Sequence, residues 1–353
     1  MNHSLAQKLS EFPRIPLVHL PTPMRKLENL TKDLGGPEIW IKRDDLTGVA
    51  FGGNKSRKLE YILPDMLAKK ADTVVTWAAL QSNWAMHTAA AAVRYGIKPV
   101  LILFKRYDLP IEPDGNMLLD RLLGADLRIR EPLGPGSAHT EDYLAVAEEV
   151  ASELRVQGRR PYVVSVGGSR VMGSMTLPLG ALSYVQAFIE TIEQTRSFGF
   201  EPDAIVHSTG SGSTQAGLVV GAKALGAKTR IIGISVSDEK KPFMRDVIEI
   251  SRATEDALGT GQIVSENDVI VLDEYIREGY GIVSREVTDA IRLMFTREGI
   301  VLDPVYTSKA FVGLMDLIRK GYFKSTDRIV FFHTGGTPAL FPNRHKLAEF
   351  LPS

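Results

Sequence analysis

The chain has 353 residues, with 44% hydrophobic and 24% charged, which is enough to build an ordinary globular protein with a large core. Lys+Arg and Asp+Glu each number 42, and this balance argues against a nucleic-acid or membrane-surface partner, since no excess charge would draw in a polyanion. There is no cysteine, which excludes disulfides, thiolate metal sites and a thiol nucleophile, and fits a reducing cytoplasm.

In chain order, residues 1–23 lack an apolar signal-like run, and no stretch approaches the length of a membrane span. Prolines at 13, 16, 21 and 23 predict an extended arm laid on the surface. Residues 38–43 alternate as a short strand. Gly52-Gly53-Asn54-Lys55 follows, at the entrance to a helix predicted over 56–66. Two glycines let a backbone approach a planar ligand or take positive φ. A lysine at a helix start feels the positive end of the dipole, which favours its neutral amine, and a neutral amine attacks aldehydes. On its own the segment also fits a glycine turn before a basic helix face.

Residues 73–77 read as a buried strand leading into Gln81-Ser82-Asn83 and a helix over 84–95. Ser82 or Asn83 suits an N-cap, and the free amides of such a helix start form an anion site. Strands over 99–104, 126–130 and 162–166 alternate with helices over 116–123 and 141–157, the pattern of parallel βαβ units. A strand over 203–207 ends in Ser208-Thr209-Gly210-Ser211-Gly212-Ser213-Thr214, with a helix over 215–225 behind it. Strand, Gly/Ser/Thr loop and helix start make a phosphate cradle. Gln215 replaces the third glycine of a dinucleotide fingerprint, and no Gly-Lys-Ser/Thr follows, so a single phosphate is expected. Further strands cover 230–235 and 328–333, and a helix covers 286–297. Lys240-Lys241 reads as a solvated charged loop. The seven histidines show no metal-ligand spacing, and His333 reads as packed at a strand end.

These motifs together resemble the lysine-bearing, fold-type II enzymes that use pyridoxal 5′-phosphate (PLP), and among them the D-cysteine desulfhydrase and 1-aminocyclopropane-1-carboxylate (ACC) deaminase family. The resemblance rests on His19-Leu20-Pro21-Thr22-Pro23, Trp40 to Gly48 with Gly52 to Glu60, Gln81-Ser82-Asn83, the 208–214 loop, Leu302-Asp303-Pro304-Val305-Tyr306 and His333-Thr334-Gly335-Gly336, in the family's order from about Leu20 to Leu340. It implies an α/β fold of two domains, each an open, mostly parallel sheet flanked by helices. The large domain would comprise residues 1–55 and 167–353, the small domain 56–166, with PLP in the cleft between them.

The resemblance also implies roles. Lys55 would join the cofactor aldehyde and then, as a free amine, take the substrate Cα proton. Asn54 would bond the ring oxygen, and Ser208 with Thr209, Gly210, Ser211, Gly212, Ser213 and Thr214 would hold the phosphate. Ser82 and Asn83 would hold the substrate carboxylate, with Ser82 as a second acid/base. Tyr280 and Tyr306 become catalytic candidates, and Thr307 or Thr334 would meet the pyridine nitrogen. The expected substrate is a small amino acid losing a β-substituent to give pyruvate and ammonia, and the expected assembly is a cytoplasmic homodimer.

Departures from the family refine this. ACC deaminases carry a glutamate directly after the tyrosine of "PVY", where this chain has Thr307. Threonine cannot supply a carboxylate to the ring nitrogen, so the chain looks more like the β-eliminating branch. An ACC deaminase or a small amino-acid racemase is the alternative within PLP chemistry, and a non-catalytic small-molecule binder the alternative outside it. Trp84, Met86 and His87 stand where the family commonly has histidine, arginine and glutamine. Trp84 and His87 are therefore read as substrate-pocket residues, and the substrate as changed, with D-cysteine one candidate beside L-cysteate and β-chloroalanine. Residues 170–177 are inserted between Gly167-Gly168-Ser169 and Pro178-Leu179-Gly180, either reshaping the entrance or forming a neutral surface loop.

Overall fold

The computed structural model describes residues 2–106, 111–134 and 141–351. In chain order they form α1 (Asn2–Ser10), β1 (Met24–Lys26), α2 (Glu28–Leu34), β2 (Glu38–Lys42), α3 (Asn54–Ala68), β3 (Thr73–Ala79), α4 (Asn83–Val93), β4 (Lys98–Phe104), α5 (Gly115–Leu122), β5 (Asp126–Arg130) and α6 (Glu141–Val156). After these come β6 (Pro161–Val164), α7 (Leu179–Ser197), β7 (Ala204–Thr209), α8 (Ser213–Ala224), β8 (Arg230–Ser235), α9 (Lys240–Leu258), β9 (Ile270–Leu272), α10 (Arg285–Glu298), α11 (Thr307–Arg319), β10 (Arg328–Phe332) and α12 (Arg344–Ala348).

Two sheets result. The larger runs β1-β2-β10-β7-β8-β9, parallel except where β1 pairs antiparallel with β2. The smaller runs β5-β4-β3-β6 and is parallel throughout. Every residue of β3 is buried, as expected of a central strand covered on both faces. The α/β architecture of two mostly parallel sheets agrees with the sequence reading. No helix among the described residues is long and apolar enough to cross a membrane.

Helix α3 straps the sheets together. Its Leu59, Tyr61, Ile62, Leu63 and Met66 share one core with Leu182, Tyr184, Val185 and Phe188 of α7. A buried charged network fixes its start. Arg57 bonds Asp44 at 2.8 Å and Glu190 at 2.9 Å, and Lys42 pairs with Glu190. Tyr184 donates to Asp44 at 2.7 Å, and Thr22 donates to it at 2.8 Å. Two cations thus meet two carboxylates with hydroxyls to spare, the condition under which buried charge is tolerated. Burial raises the Glu190 pKa, but the hydrogen bonds and charges of Arg57 and Lys42 outweigh it and leave it at about 2.

Two expectations need correction, and one open alternative narrows. The proline arm is not merely laid on the surface, because Leu17 and Thr22 are buried and Thr22 joins the charged network. Lys240-Lys241 do not form a loop; they open α9, with Pro242 in its first turn, a position that tolerates a missing N–H. The insertion at 170–177 is anchored away from the cleft. Ser174 N–H donates to Val163 O and Ser174 Oγ accepts from Val163 N, both at 2.8 Å, Met175 is buried, and Arg170 pairs with Asp246 of α9.

Candidate active site

The C-terminal ends of β3, β4, β7 and β8 converge on one cleft, the position where open parallel sheets receive ligands. Its lining includes Asn54, Lys55, Ser82, Asn83, Trp84, Thr209–Gly212, Thr214, Tyr280, Tyr306 and Thr334. The open space inside that lining, solvent mouth included, is ≈ 890 Å³.

Lys55 owes its place to two glycine pairs. Gly53 N–H and Gly53 O both bond Thr47 Oγ1, at 2.8 and 3.1 Å, and Asn54 N–H donates to Thr334 O at 3.0 Å. Gly53 bridges Gly335, so the GGNK and HTGG motifs lie backbone to backbone. Gly52 has φ +71°, and a Cβ there would lie 1.9 Å from Asp45 O, so no larger residue fits. The helix begins two residues earlier than predicted, which places Lys55 inside its first turn. Burial pushes the Lys55 pKa down to about 8, against the opposing charge of Asp303. Its Nζ donates to Asn54 Oδ1 at 2.9 Å, and Asn54 Nδ2 donates to Thr214 Oγ1 at 3.2 Å.

The 208–214 loop leads into α8, whose N-cap is Gly212 at φ +88° with no side-chain cap. The first amides of α8 therefore meet the cleft without a protein oxygen from the cap residue. Thr209 Oγ1 is buried and has no hydrogen-bond partner among the described residues. An orphaned hydroxyl beside an uncapped helix start is what a bound phosphate would satisfy, so these residues fit that group of the cofactor. Ser213 turns its hydroxyl away from the cleft. Its hydroxyl accepts from Lys58 Nζ at 2.8 Å and donates to Gly167 O at 3.2 Å, and Ser213 does not line the cleft. Lys58, fully buried and near the charge of Lys55, has its pKa held well below the usual lysine value.

Helix α4 brings a second N-terminus to the cleft. Ser82 caps it, with Oγ accepting from Trp84 N at 3.1 Å and Ala85 N at 3.3 Å. Its own O–H stays available as a donor. Asn83 Oδ1 accepts from Asn116 Nδ2 of α5 at 2.8 Å. Trp84 belongs to the lining, and its Nε1 donates to Thr76 Oγ1 of β3 at 2.8 Å.

His87 is a correction, and Met86 beside it behaves alike. Both are buried and neither lines the cleft. His87 lies between Asn83 O, 2.6 Å from Nδ1, and Gly52 O, 3.1 Å from Nε2. Burial pushes its pKa down to about 4, so the neutral ring has one N–H and serves one of these carbonyls, the nearer being Asn83 O. His87 thus packs between the GGNK turn and α4, one turn along from Asn83 as read, but inward.

Thr307 is a further correction. Its Oγ1 donates to Asp303 at 2.6 Å and accepts from Asp303 N at 2.9 Å, which keeps it out of the cleft. Asp303 also accepts from Val305 N, Tyr306 N and Thr307 N at 2.7–2.9 Å, so the Asp of "DPVY" is the carboxylate that organises the start of α11. Thr334 does line the cleft, and its hydroxyl lies 3.0 Å from Ser208 Oγ. Tyr280 and Tyr306 are joined hydroxyl to hydroxyl, their rings edge to face with centroids 5.9 Å apart. Burial raises the Tyr280 pKa, while the bond from Tyr306 and the charge of Arg106 work against it.

The sequence reading overlooked Arg106, Val236, Ser237 and Asp238, all in the lining. Arg106 lies two residues beyond β4, and 236–238 directly follow β8, so strand C-termini were the signal that could have found them. His333 is packed as expected, with Nε2 2.8 Å from Val301 O.

Residues 15–335 match the family described as "Pyridoxal-phosphate dependent enzyme". The chain is 41% identical to a putative 1-aminocyclopropane-1-carboxylate deaminase of Pyrococcus furiosus, over 99% of this chain and 100% of that protein. It is 39% identical to a D-cysteine desulfhydrase of Serratia proteamaculans, over 96% and 98%. A solved ACC deaminase homologue superposes with a TM-score of 0.88 at 38% identity, covering 99% of this chain and 100% of that one. With a cleft that sets a half-buried lysine of lowered pKa beside an uncapped helix start, and a match over most of its length, the chain belongs to the family of pyridoxal-phosphate-dependent enzymes.

Proposed function

We propose that this protein is a PLP-dependent lyase that eliminates the β-substituent of a small amino acid, giving pyruvate and ammonia. The observation that supports it most is the placement of Lys55 between two helix N-termini, α8 with its orphaned Thr209 hydroxyl and α4 with Ser82 and Asn83. When bound, the cofactor supplies an electron sink for the carbon acid of the substrate.

The remaining work falls to the chain. Asn54, Thr209–Gly212, Thr214 and the first amides of α8 would hold the cofactor, and Thr334 would offer its hydroxyl to the ring nitrogen. Ser82 and Asn83 fix the substrate carboxylate at the start of α4. Lys55 Nζ takes the Cα proton; with its pKa near 8 it yields a free amine at modest cost. Ser82 Oγ and the Tyr280–Tyr306 pair are the remaining groups able to hand a proton to or from the β-substituent. Residues 56–166 would act as the smaller domain over a larger one made of 1–55 and 167–353. A cytoplasmic homodimer completes the proposal, and sedimentation of the holoenzyme checks the assembly.

ACC deamination is the second reading, because the Pyrococcus relative carries that name. The site lacks a carboxylate after Tyr306, since Thr307 is turned onto Asp303. A panel of D-cysteine, L-cysteate, β-chloroalanine and ACC tests the choice. Pyruvate from the first three without 2-oxobutyrate from ACC supports the proposal. 2-Oxobutyrate as the leading product replaces it with ACC deamination, and inversion without product replaces it with racemisation.

A further inference from the structure

We propose that Asn116, a positioning residue outside the cleft, locks the Asn83 side chain with its amide nitrogen toward the substrate, and so makes the site select a carboxylate over a carboxamide. The inference rests on the lyase reading above, which puts the substrate carboxylate at the start of α4. Asn116 is fully buried in the first turn of α5 and does not line the cleft, whereas Asn83 does.

The way α4 begins creates the need for such a residue. Ser82 Oγ accepts from Trp84 N and Ala85 N, so two of the amides that a helix start offers an anion are already engaged. What remains for a carboxylate is the Ser82 O–H, the Asn83 N–H and the Asn83 side chain. A side-chain amide has two ends of opposite character. Its NH2 attracts a carboxylate and its oxygen repels one, and half a turn about the last torsion exchanges them.

The surrounding bonds decide which end is presented. Gln81 O is a backbone carbonyl and can only accept, so the Asn116 atom 3.0 Å from it is Nδ2. The second hydrogen of that nitrogen goes to Asn83 at 2.8 Å, which makes the facing atom Asn83 Oδ1. With its oxygen engaged by α5, Asn83 keeps Nδ2 for a ligand, and this nitrogen donates to no protein group among the described residues. Asn116 Oδ1 is buried without a partner among the described residues, so Asn116 is held for its donors and not for its acceptor. Gln81 answers from the other side. Its Oε1 accepts from Asn116 N at 2.8 Å, and its Nε2 donates to Asp114 O at 3.0 Å. Asp114 caps α5 and pairs with Arg344 of α12. The orientation of Asn83 is therefore set before a ligand arrives, which spares the ligand that ordering cost.

The test uses the holoenzyme with alanine and alaninamide, in both enantiomers. They share one shape, differ only at the group in question and lack a β leaving group, and cofactor absorbance reports their affinity. Wild type should bind alanine at least roughly 10-fold more tightly, the scale of a hydrogen bond to a charged group. Asn116→Leu removes both donors at similar volume, and Asn116→Ala removes them and empties the site. In each, Asn83 can turn its oxygen to an amide ligand. Alanine should weaken while alaninamide holds or gains, and the ratio should fall by roughly 10-fold. With β-chloroalanine, KM should rise while kcat stays within about 3-fold, because Asn116 reaches neither Lys55 nor the β-substituent. Equal losses for both ligands, a ratio that falls in only one of two loaded variants, or a wild type without preference overturns the proposal. If one variant does not load cofactor, the ratio in the other decides. Pyruvate from β-chloroalanine in wild type reports independently on the lyase reading, so the two can fail separately.

Discussion

Two helix N-termini face the same cleft and are finished differently. α4 starts at Ser82, whose hydroxyl oxygen already accepts from two amides of the first turn. α8 starts at Gly212, which has no side chain to offer and whose φ of +88° suits glycine. An uncapped start leaves its amides to a ligand, and with glycine as the cap residue this costs the empty protein only roughly a few tenths of a kcal/mol. A self-capped start is stable alone and adds to a ligand only what remains. The first arrangement suits a cofactor that stays, and the second a substrate that comes and goes.

Substitutions at these two starts should therefore act on different quantities. The largest effect on cofactor binding is expected from Thr214→Asp, which puts a carboxylate in the first turn of α8. It should favour the empty helix by roughly 0.3–1 kcal/mol through the dipole, yet repel phosphate and weaken cofactor binding by ~10²-fold or more. Thermal melts of stripped protein and cofactor titration read the two together. A variant that binds the cofactor normally would show that phosphate is held elsewhere.

Ser82→Ala at α4 should spare cofactor affinity and lower kcat by ~10²–10⁴-fold if Ser82 moves a proton. Loss of the cap should cost stability by about 1 kcal/mol as well. Ser82→Thr separates these roles, because it keeps both cap and hydroxyl. Near-wild-type turnover in the alanine variant would reduce Ser82 to a helix cap.

Much of this contrast was legible in the sequence. Gly-Ser-Gly-Ser-Thr after a strand and Gln-Ser-Asn before a helix are local patterns, and both starts lie within two residues of their predicted places. What stayed hidden depends on distant backbone. Nothing near Gly53 says that it pairs with Gly335, nor does anything near His87 reveal Gly52 O across from it. Helical spacing put His87 on the Asn83 face, but spacing does not say whether that face looks to the cleft or into the core. Thr307 failed for a related reason: Asp303, four residues earlier, claims its hydroxyl.

Farther along the small sheet, α5 offers a smaller effect. Asn116 positions Asn83, while Asp120, one turn on, is fully buried with neither carboxylate oxygen bonded among the described residues. Burial pushes its pKa up to about 8 from 3.8. The folded state then holds a proton that the unfolded state releases, so Asp120 lowers stability progressively as pH rises from about 4 to about 8. Asp120→Asn should raise Tm at pH 8 and leave it nearly unchanged at pH 4. Equal shifts at both pH values would mean that Asp120 is not protonated in the native protein.

The smallest effect is expected from His87→Gln, a change in the buried packing between α4 and the GGNK turn rather than in the cleft. An amide can serve one of the two carbonyls, so kcat/KM and substrate ranking should hold within about 3-fold, with stability lower by about 1 kcal/mol. Trp84→His, which alters the cleft wall itself, should change the ranking where His87→Gln does not. A changed ranking in the His87 variant would return that residue to the substrate pocket.

The central claim is that Lys55, between the two helix starts, is the lysine that holds the cofactor. Purified holoenzyme should be yellow, borohydride should fix the chromophore, and peptide mapping should find it on Lys55 Nζ and nowhere else. Lys55→Ala should lose the fixed label together with turnover. A label on Lys58 or any other lysine, or a purified protein unable to take up the chromophore, would contradict the account.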